Sequence, residues 1–207
     1  MWRKNCDACA LKSSPLIIDN HVLQATFNGN LICSDISTGC KIWSRSISPK
    51  KAIFSDLLFL EASQNVVVCS IDGNLYLFNY PKANILRSFN LNSPMFASPS
   101  FSCSKANQII VGTHGSELYC VDVEKMSICP LYRSEAPIAV KPLIFIKSCN
   151  CSSVSDMILF VESNGHLVLL DFESRQVVCD YFLPNNSFSS PRMSNDHIFI
   201  GLSLIHI

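Results

Sequence analysis

The chain has 207 residues, 48% of them apolar and only 15% charged, and its 16 basic and 16 acidic side chains give a formal net charge of zero. This excludes a disordered tail, which needs low hydrophobicity and high net charge, and argues against nucleic acid as a partner, since phosphate binding draws on a basic surplus. No apolar run approaches the ~18–20 residues of a membrane helix, because Ile53–Leu60 and Ile138–Ile146 are short and carry Asp56 and Lys141.

In chain order, the N-terminal MWRKNCDACALKSS has no continuous apolar core and does not read as a secretory signal. Ser14-Pro15-Leu16-Ile17 opens the first predicted strand, followed by strands over His21–Phe27 and Leu31–Asp35 and a closing element in Thr38–Trp43. The second group is Ser55-Asp56-Leu57-Leu58, Asn65–Ile71, Leu75–Asn79 and Ile85–Phe89. The third is Ser98-Pro99, Gln108–Thr113, Leu118–Asp122 and Ser127–Tyr132. The fourth is Lys141-Pro142-Leu143-Ile144, Asp156–Glu162, Leu167–Asp171 and Gln176–Phe182, with Ser148–Ser155 as an inserted surface loop. Ser190-Pro191 and Ile198-Phe199-Ile200-Gly201 start a fifth. Proline is tolerated at a strand's first residue because no ladder donor is needed there.

Four of the seven glycines share one context. Asn28-Gly29, Asp72-Gly73, His114-Gly115 and Asn164-Gly165 each sit between two β-rich runs, the pattern of a tight hairpin turn with positive φ. Gly29, Gly73, Gly115 and Gly165 are 44, 42 and 50 residues apart. Four strands repeated at that period, with no helical periodicity, predict an all-β chain: a partial β-propeller of about four four-stranded blades, truncated at both ends. The predicted blades span about 12–50, 51–93, 94–137 and 138–186, with the start of a fifth at 187–201. Trp2 sits as if closing a missing blade. Residues 202–207 (LSLIHI) match the translation of a common sequencing adapter and are set aside as a non-native tail.

Asp35, Thr38, Gly39 and Trp43 fit D-x-x-T-G-x-x-x-W. This resembles the blade signature of the quinoprotein-type propellers, the pyrroloquinoline-quinone (PQQ)-like repeat, and decayed forms follow in the other three repeats. The resemblance implies that Asp35, Thr38 and Gly39 turn the chain between the last two strands and that Trp43 packs between blades. The cysteine-rich blades and the Asp7–Pro15 segment (D-A-C-x-x-x-S-S-P) are similar to the C-terminal propeller of the beta-alanine-activating enzymes, relatives of the acyl-CoA synthetases. That likeness implies a non-catalytic binding or regulatory module of an adenylating acid–thiol ligase, with the parent's other domains as protein partners. The alternatives are a quinoprotein-type oxidoreductase and a free-standing interaction scaffold.

No catalytic residue is expected, because nucleophile-elbow, phosphate-loop and H-E-x-x-H patterns are all missing. PQQ and other cofactors are not expected either, since the adjacent cysteines of the quinone-binding dehydrogenases have no counterpart. Cys6-x-x-Cys9 with Cys149-x-Cys151 has zinc-like spacing, but packing thiols are the expected reading and no metal is predicted. His114 and His166 read as polar turn residues. Eleven cysteines, an odd count without a signal, favour free thiols and a cytoplasmic location. At Cys33, Cys69, Cys103, Cys120 and Cys179 the thiol is expected to act as a small strand hydrophobe.

Overall fold

The computed structural model describes residues 9–105, 107–147, 155–195 and 197–202. Trp2, the cysteines at 6, 149 and 151, and nearly all of the predicted 148–155 loop and 202–207 tail lie outside them. Two compact units meet at Ser98/Pro99. The first contains β1 (Leu16–Ile18), β2 (His21–Ala25), β3 (Asn30–Asp35), β4 (Lys41–Ser46), β5 (Leu58–Leu60), β6 (Asn65–Cys69), β7 (Asn74–Asn79) and β8 (Ile85–Asn90). The second contains β9 (Ser100–Phe101), β10 (Gln108–Gly112), β11 (Glu117–Asp122), β12 (Ser127–Arg133), β13 (Leu143–Lys147), β14 (Ser155–Val161), β15 (His166–Asp171), β16 (Val177–Phe182), β17 (Arg192–Ser194) and β18 (His197–Phe199).

Each set of four consecutive strands forms one antiparallel meander, giving sheets β1–β4, β5–β8, β9–β12 and β13–β16, and β17 pairs with β18. The predicted all-β class therefore holds; the single helical element among the described residues is a 3-10 turn at Glu61–Ser63. No helix there is long and apolar enough to cross a membrane.

Side chains at alternate positions of the middle strands meet between successive sheets. In the first unit Leu23, Ala25, Leu31 and Cys33 join Val66, Val68 and Phe78 in one buried cluster. In the second unit Ile110, Leu118 and Cys120 join Ile158, Phe160, Val168 and Leu170. Val66–Cys69 and Met157–Val161 are buried throughout, as expected of strands covered on both faces.

The Ser/Asp/Lys position ahead of each first strand has a physical role. Asp56 Oδ1 accepts the Ser14 amide at 2.6 Å, and Ser98 Oγ accepts the Asp56 amide at 2.8 Å. In the second unit Ser190 Oγ accepts the Lys141 amide at 3.1 Å. The second, third and fifth repeats thus cap the backbone of the repeat before them. Ser98→Ala leaves the half-buried Asp56 amide without this acceptor, so a loss of about 1–3 kcal/mol is expected, read as a lower denaturant midpoint with an unchanged m-value.

The D-x-x-T-G segment makes the turn between β3 and β4. Asp35 Oδ1 accepts the amides of Ser37 and Thr38 at 3.0 and 2.8 Å and the Thr38 hydroxyl at 2.9 Å. The Thr38 bonds hold the Asp35 carboxyl below its usual pKa. Asp171 repeats the pattern with Glu173 and Ser174. Gly39 has φ of 69°, and Ala83, Met126 and Arg175 adopt φ of 55–58° at the matching residue of the other turns. Trp43 is half-buried opposite Cys33 and packs against the first unit's core.

The turns between second and third strands correct one expectation. Gly29, Gly73 and Gly165 have φ of 78°, 87° and 87°, but Gly115 is not in the left-handed region; Ser116 is, at 64°. Counted from the hydrogen bond that closes each turn (Thr26 N–H to Asn30 O, Thr113 N–H to Glu117 O), the left-handed residue is the fourth of five. In the third repeat that residue is Ser116, one place after the glycine.

Candidate binding surface

In every four-stranded sheet the turn between second and third strands shares one end with the inter-sheet segments. Turns bond to the segment that enters their own sheet (Phe27 N–H to Ala10 O, Ile71 N–H to Ala52 O, Ser163 N–H to Pro137 O) and, in the third sheet, to the segment that leaves it (Ile138 N–H to Thr113 O), at 2.8–3.2 Å. The alternation of Ile53-Phe54-Ser55, Met95-Phe96-Ala97 and Ile138-Ala139-Val140 is the same, with the outer residues buried and the middle one half-exposed. In the first unit the middle residues are aromatic. Phe27 is exposed and meets Phe54 edge-on at 5.4 Å, and Phe54 meets Phe96 at 5.2 Å. These rings form a rigid aromatic row on a sheet end, a favourable contact geometry for aromatic side chains. Beside it, Asp72 Oδ2 accepts hydrogen bonds from Ser48 Oγ at 2.5 Å and Tyr76 Oη at 2.6 Å. Burial and this carboxylate push the Tyr76 phenol up to about 12.

The same end of the fourth sheet carries a charged cluster. Where three turns begin with a hydroxyl residue (Thr26, Ser70, Thr113), the fourth begins with Glu162, whose side chain is fully buried. His166 closes that turn. Its Nδ1 lies 3.2 Å from Glu162 Oε1 and its Nε2 2.8 Å from Asp180 Oδ2. Phe182, directly opposite His166 in the β15–β16 register, stacks on the imidazole at 4.3 Å. Burial opposes the imidazolium, but the bonds to Asp180 and Glu162 outweigh it and raise the pKa above its ordinary 6.5. With both ring nitrogens facing carboxylates, the group acts as a charge clamp. His166 thus does more than the polar turn residue its place beside Gly165 predicts; the signal in the sequence is Glu162 at a hydroxyl position.

A cleft of about 190 Å³ opens among β9, β13 and β17, lined by Ser100, Phe101, Cys103, Lys141, Ile144 and Arg192 among others. A quinone cofactor with its calcium needs carboxylate or amide ligands, and this lining supplies none, so its residues do not fit that group. No group of three or more His, Cys, Asp or Glu side chains among the described residues is placed to hold a metal. Cys9 is described, while its three proposed zinc partners lie outside the described residues.

No family model matches the chain. Over 135 residues, 64% of its length, it is 22% identical to a curated protein named outer membrane protein assembly factor BamB, from Moranella endobia (strain PCIT). The match spans about a third, 32%, of that relative. The crystal structure of BamB from Moraxella catarrhalis superposes with a TM-score of 0.61 and 14% identity, over 93% of this chain and 67% of that one. The likeness shows the β-propeller fold. It supports a quinoprotein-like propeller and lends nothing to an adenylating-enzyme parent. The expected cytoplasmic location is overturned: the relative's name ties that protein to the assembly of outer membrane proteins, which points away from the cytoplasm. The expectation leaned on the N-terminal residues of a chain whose match covers a third of its relative.

Proposed function

We propose that this chain is a non-catalytic β-propeller module that binds a protein through the end of its first unit. The carrying observation is the aromatic row Phe27–Phe54–Phe96, held by backbone hydrogen bonds on a rigid sheet end. Aromatic residues at fixed positions lose little entropy on binding and dominate interface energetics. The relatives are in keeping with this, one of them being named as an assembly factor. A second and finer reading makes the module the C-terminal part of an adenylating ligase; it rests on the Asp7–Pro15 segment and the cysteine-rich strands.

A photo-crosslinking residue in place of Phe54, in the chain expressed in its native cells, tests the proposal. Recurrent crosslinks to one protein are expected, and Phe27→Asp, which puts a charge into the aromatic row, should abolish them. Crosslinks no more specific than those from a probe at exposed Arg87 overturn it. If the captured protein is the remainder of a longer adenylating polypeptide, the second reading is the one supported.

A further inference from the structure

We infer that Cys129 and Cys120 form a thiol-modification site that reacts with small anionic disulfides and resolves to a cross-strand disulfide within the third sheet.

The pair exists because one irregularity is displaced. In the other three four-stranded sheets the register shift between third and fourth strands falls just before the residue preceding the turn Asp/Asn: at Cys33/Ser34, Leu77/Phe78 and Leu169/Leu170. The fourth-strand residue left out of register there is Ile42, Leu86 or Val178, each exposed. In the third sheet the shift falls two residues earlier in β11, at Leu118/Tyr119. Pro130 occupies the place that Trp43 holds in the first sheet, and it has no N–H to give to the ladder. As a result Cys129, at the place of Ile42, stands directly opposite Cys120.

Directly opposed residues of an antiparallel pair point to the same face, with Cα atoms about 4.5–5.5 Å apart. That falls within the span a disulfide bridges, about 4.4–6.8 Å. Both cysteines line one cleft of about 220 Å³ whose charged side chains are Lys105, Lys125 and Arg175 against Asp122 and Glu173, a surplus of one positive charge, with Glu173 paired to Lys105 and Arg175 left beside Cys129. A guanidinium nitrogen of Arg175 lies 3.1 Å from Cys129 Sγ. That cation is placed to draw an anionic disulfide up to the sulfur. Cys129 is half-buried and reachable; Cys120 is buried, which pushes its thiol up to about 11. The two thiols therefore have distinct roles, Cys129 attacking and Cys120 resolving.

The chemistry balances without a further oxidant. The Cys129 thiolate attacks one sulfur of a small disulfide such as oxidised glutathione, whose S–S bond breaks and releases one thiolate. Cys120 then loses its proton to solvent and attacks Cys129 Sγ, and the second small thiol leaves. Two protein thiols are oxidised and one disulfide is reduced to two thiols. The second step accelerates as pH rises, because the Cys120 thiol must ionise.

The test incubates the full 207-residue chain with oxidised glutathione, quenches with alkylating agent and maps tryptic peptides without reduction. Cleavage after Lys105, Lys125 and Arg133 puts the two cysteines on separate peptides. A crosslinked Ala106–Lys125/Met126–Arg133 pair is expected before any other disulfide. Cys120→Ser should stop the reaction at the glutathione adduct of Cys129, and Arg175→Gln should slow adduct formation about three- to tenfold. Adducts that accumulate first on Cys9, Cys40, Cys103 or Cys179 while Cys129 stays reduced overturn the proposal. So does a Cys129 adduct that never passes to Cys120 at pH 9.

Discussion

Replacing His166 by alanine is expected to cost the second unit about 3–5 kcal/mol, the usual loss when one partner of a buried ion pair is removed. The reason is Glu162. Its side chain is fully buried, one oxygen faces His166, and Oε2 has no hydrogen-bond partner among the described residues. Without the imidazole this buried carboxyl loses its partner at Oε1 as well, leaving a buried polar group unsatisfied. The sign of the pH dependence follows from the raised His166 pKa. The folded state holds the imidazole proton more tightly than the unfolded state, so the clamp's contribution is complete below about 6.5 and fades as pH climbs through the folded value. Thermal melts at pH 6 and pH 8.5 should therefore show a wild-type chain that weakens on going alkaline. His166→Gln, which keeps hydrogen-bonding capacity but does not titrate, should show a flatter profile. Equal pH slopes for wild type and His166→Gln would mean that the clamp is neutral in the folded protein.

Much of the fold was legible because the strands obey simple rules. The strands predicted over Asn65–Ile71 and Gln108–Thr113 start where β6 and β10 start, and the structure shortens each at its turn end. There the backbone leaves the ladder to close the five-residue turn, a boundary that apolar pattern does not mark. Asp35, Asn79, Asp122 and Asp171 do end the third strands, since each side chain then caps the next turn. Two features escaped the pattern. Glycine's usual occupancy of left-handed positions points to Gly115 in the third turn, whereas position within the hydrogen-bonded turn selects Ser116. The aromatic row escaped because Phe27, Phe54 and Phe96 are widely separated in sequence, and only the bonding of each inter-sheet segment to a neighbouring turn brings them together. The Cys120–Cys129 pairing likewise depends on where a bulge falls, which no count of spacing reveals.

Gly29→Ala should be the most damaging of the turn substitutions, at about 3 kcal/mol or more. Two costs add. An L side chain at φ of 78° carries about 1–2 kcal/mol of backbone strain. A methyl group there would also sit 1.7 Å from Ser48 O and 2.7 Å from Lys51 O, both main-chain atoms. Neither can swing away as a side chain would, so the 47–51 segment has to move as a whole. That movement breaks the bonds Gly29 O accepts from the amides of Ile47 and Ser48 at 2.9 and 3.0 Å, each contributing about 0.5–1.5 kcal/mol. Ser116→Gly is the matched opposite. It removes a Cβ from a left-handed residue at the same place in the third turn, and the relief roughly offsets the added freedom of glycine in the unfolded chain. The expected change is within about 1 kcal/mol of zero. Denaturant titrations of both variants decide the matter: a Gly29→Ala midpoint near that of wild type would show that the inter-sheet segment yields easily, and that this end of the first unit is not the rigid platform a docked partner requires.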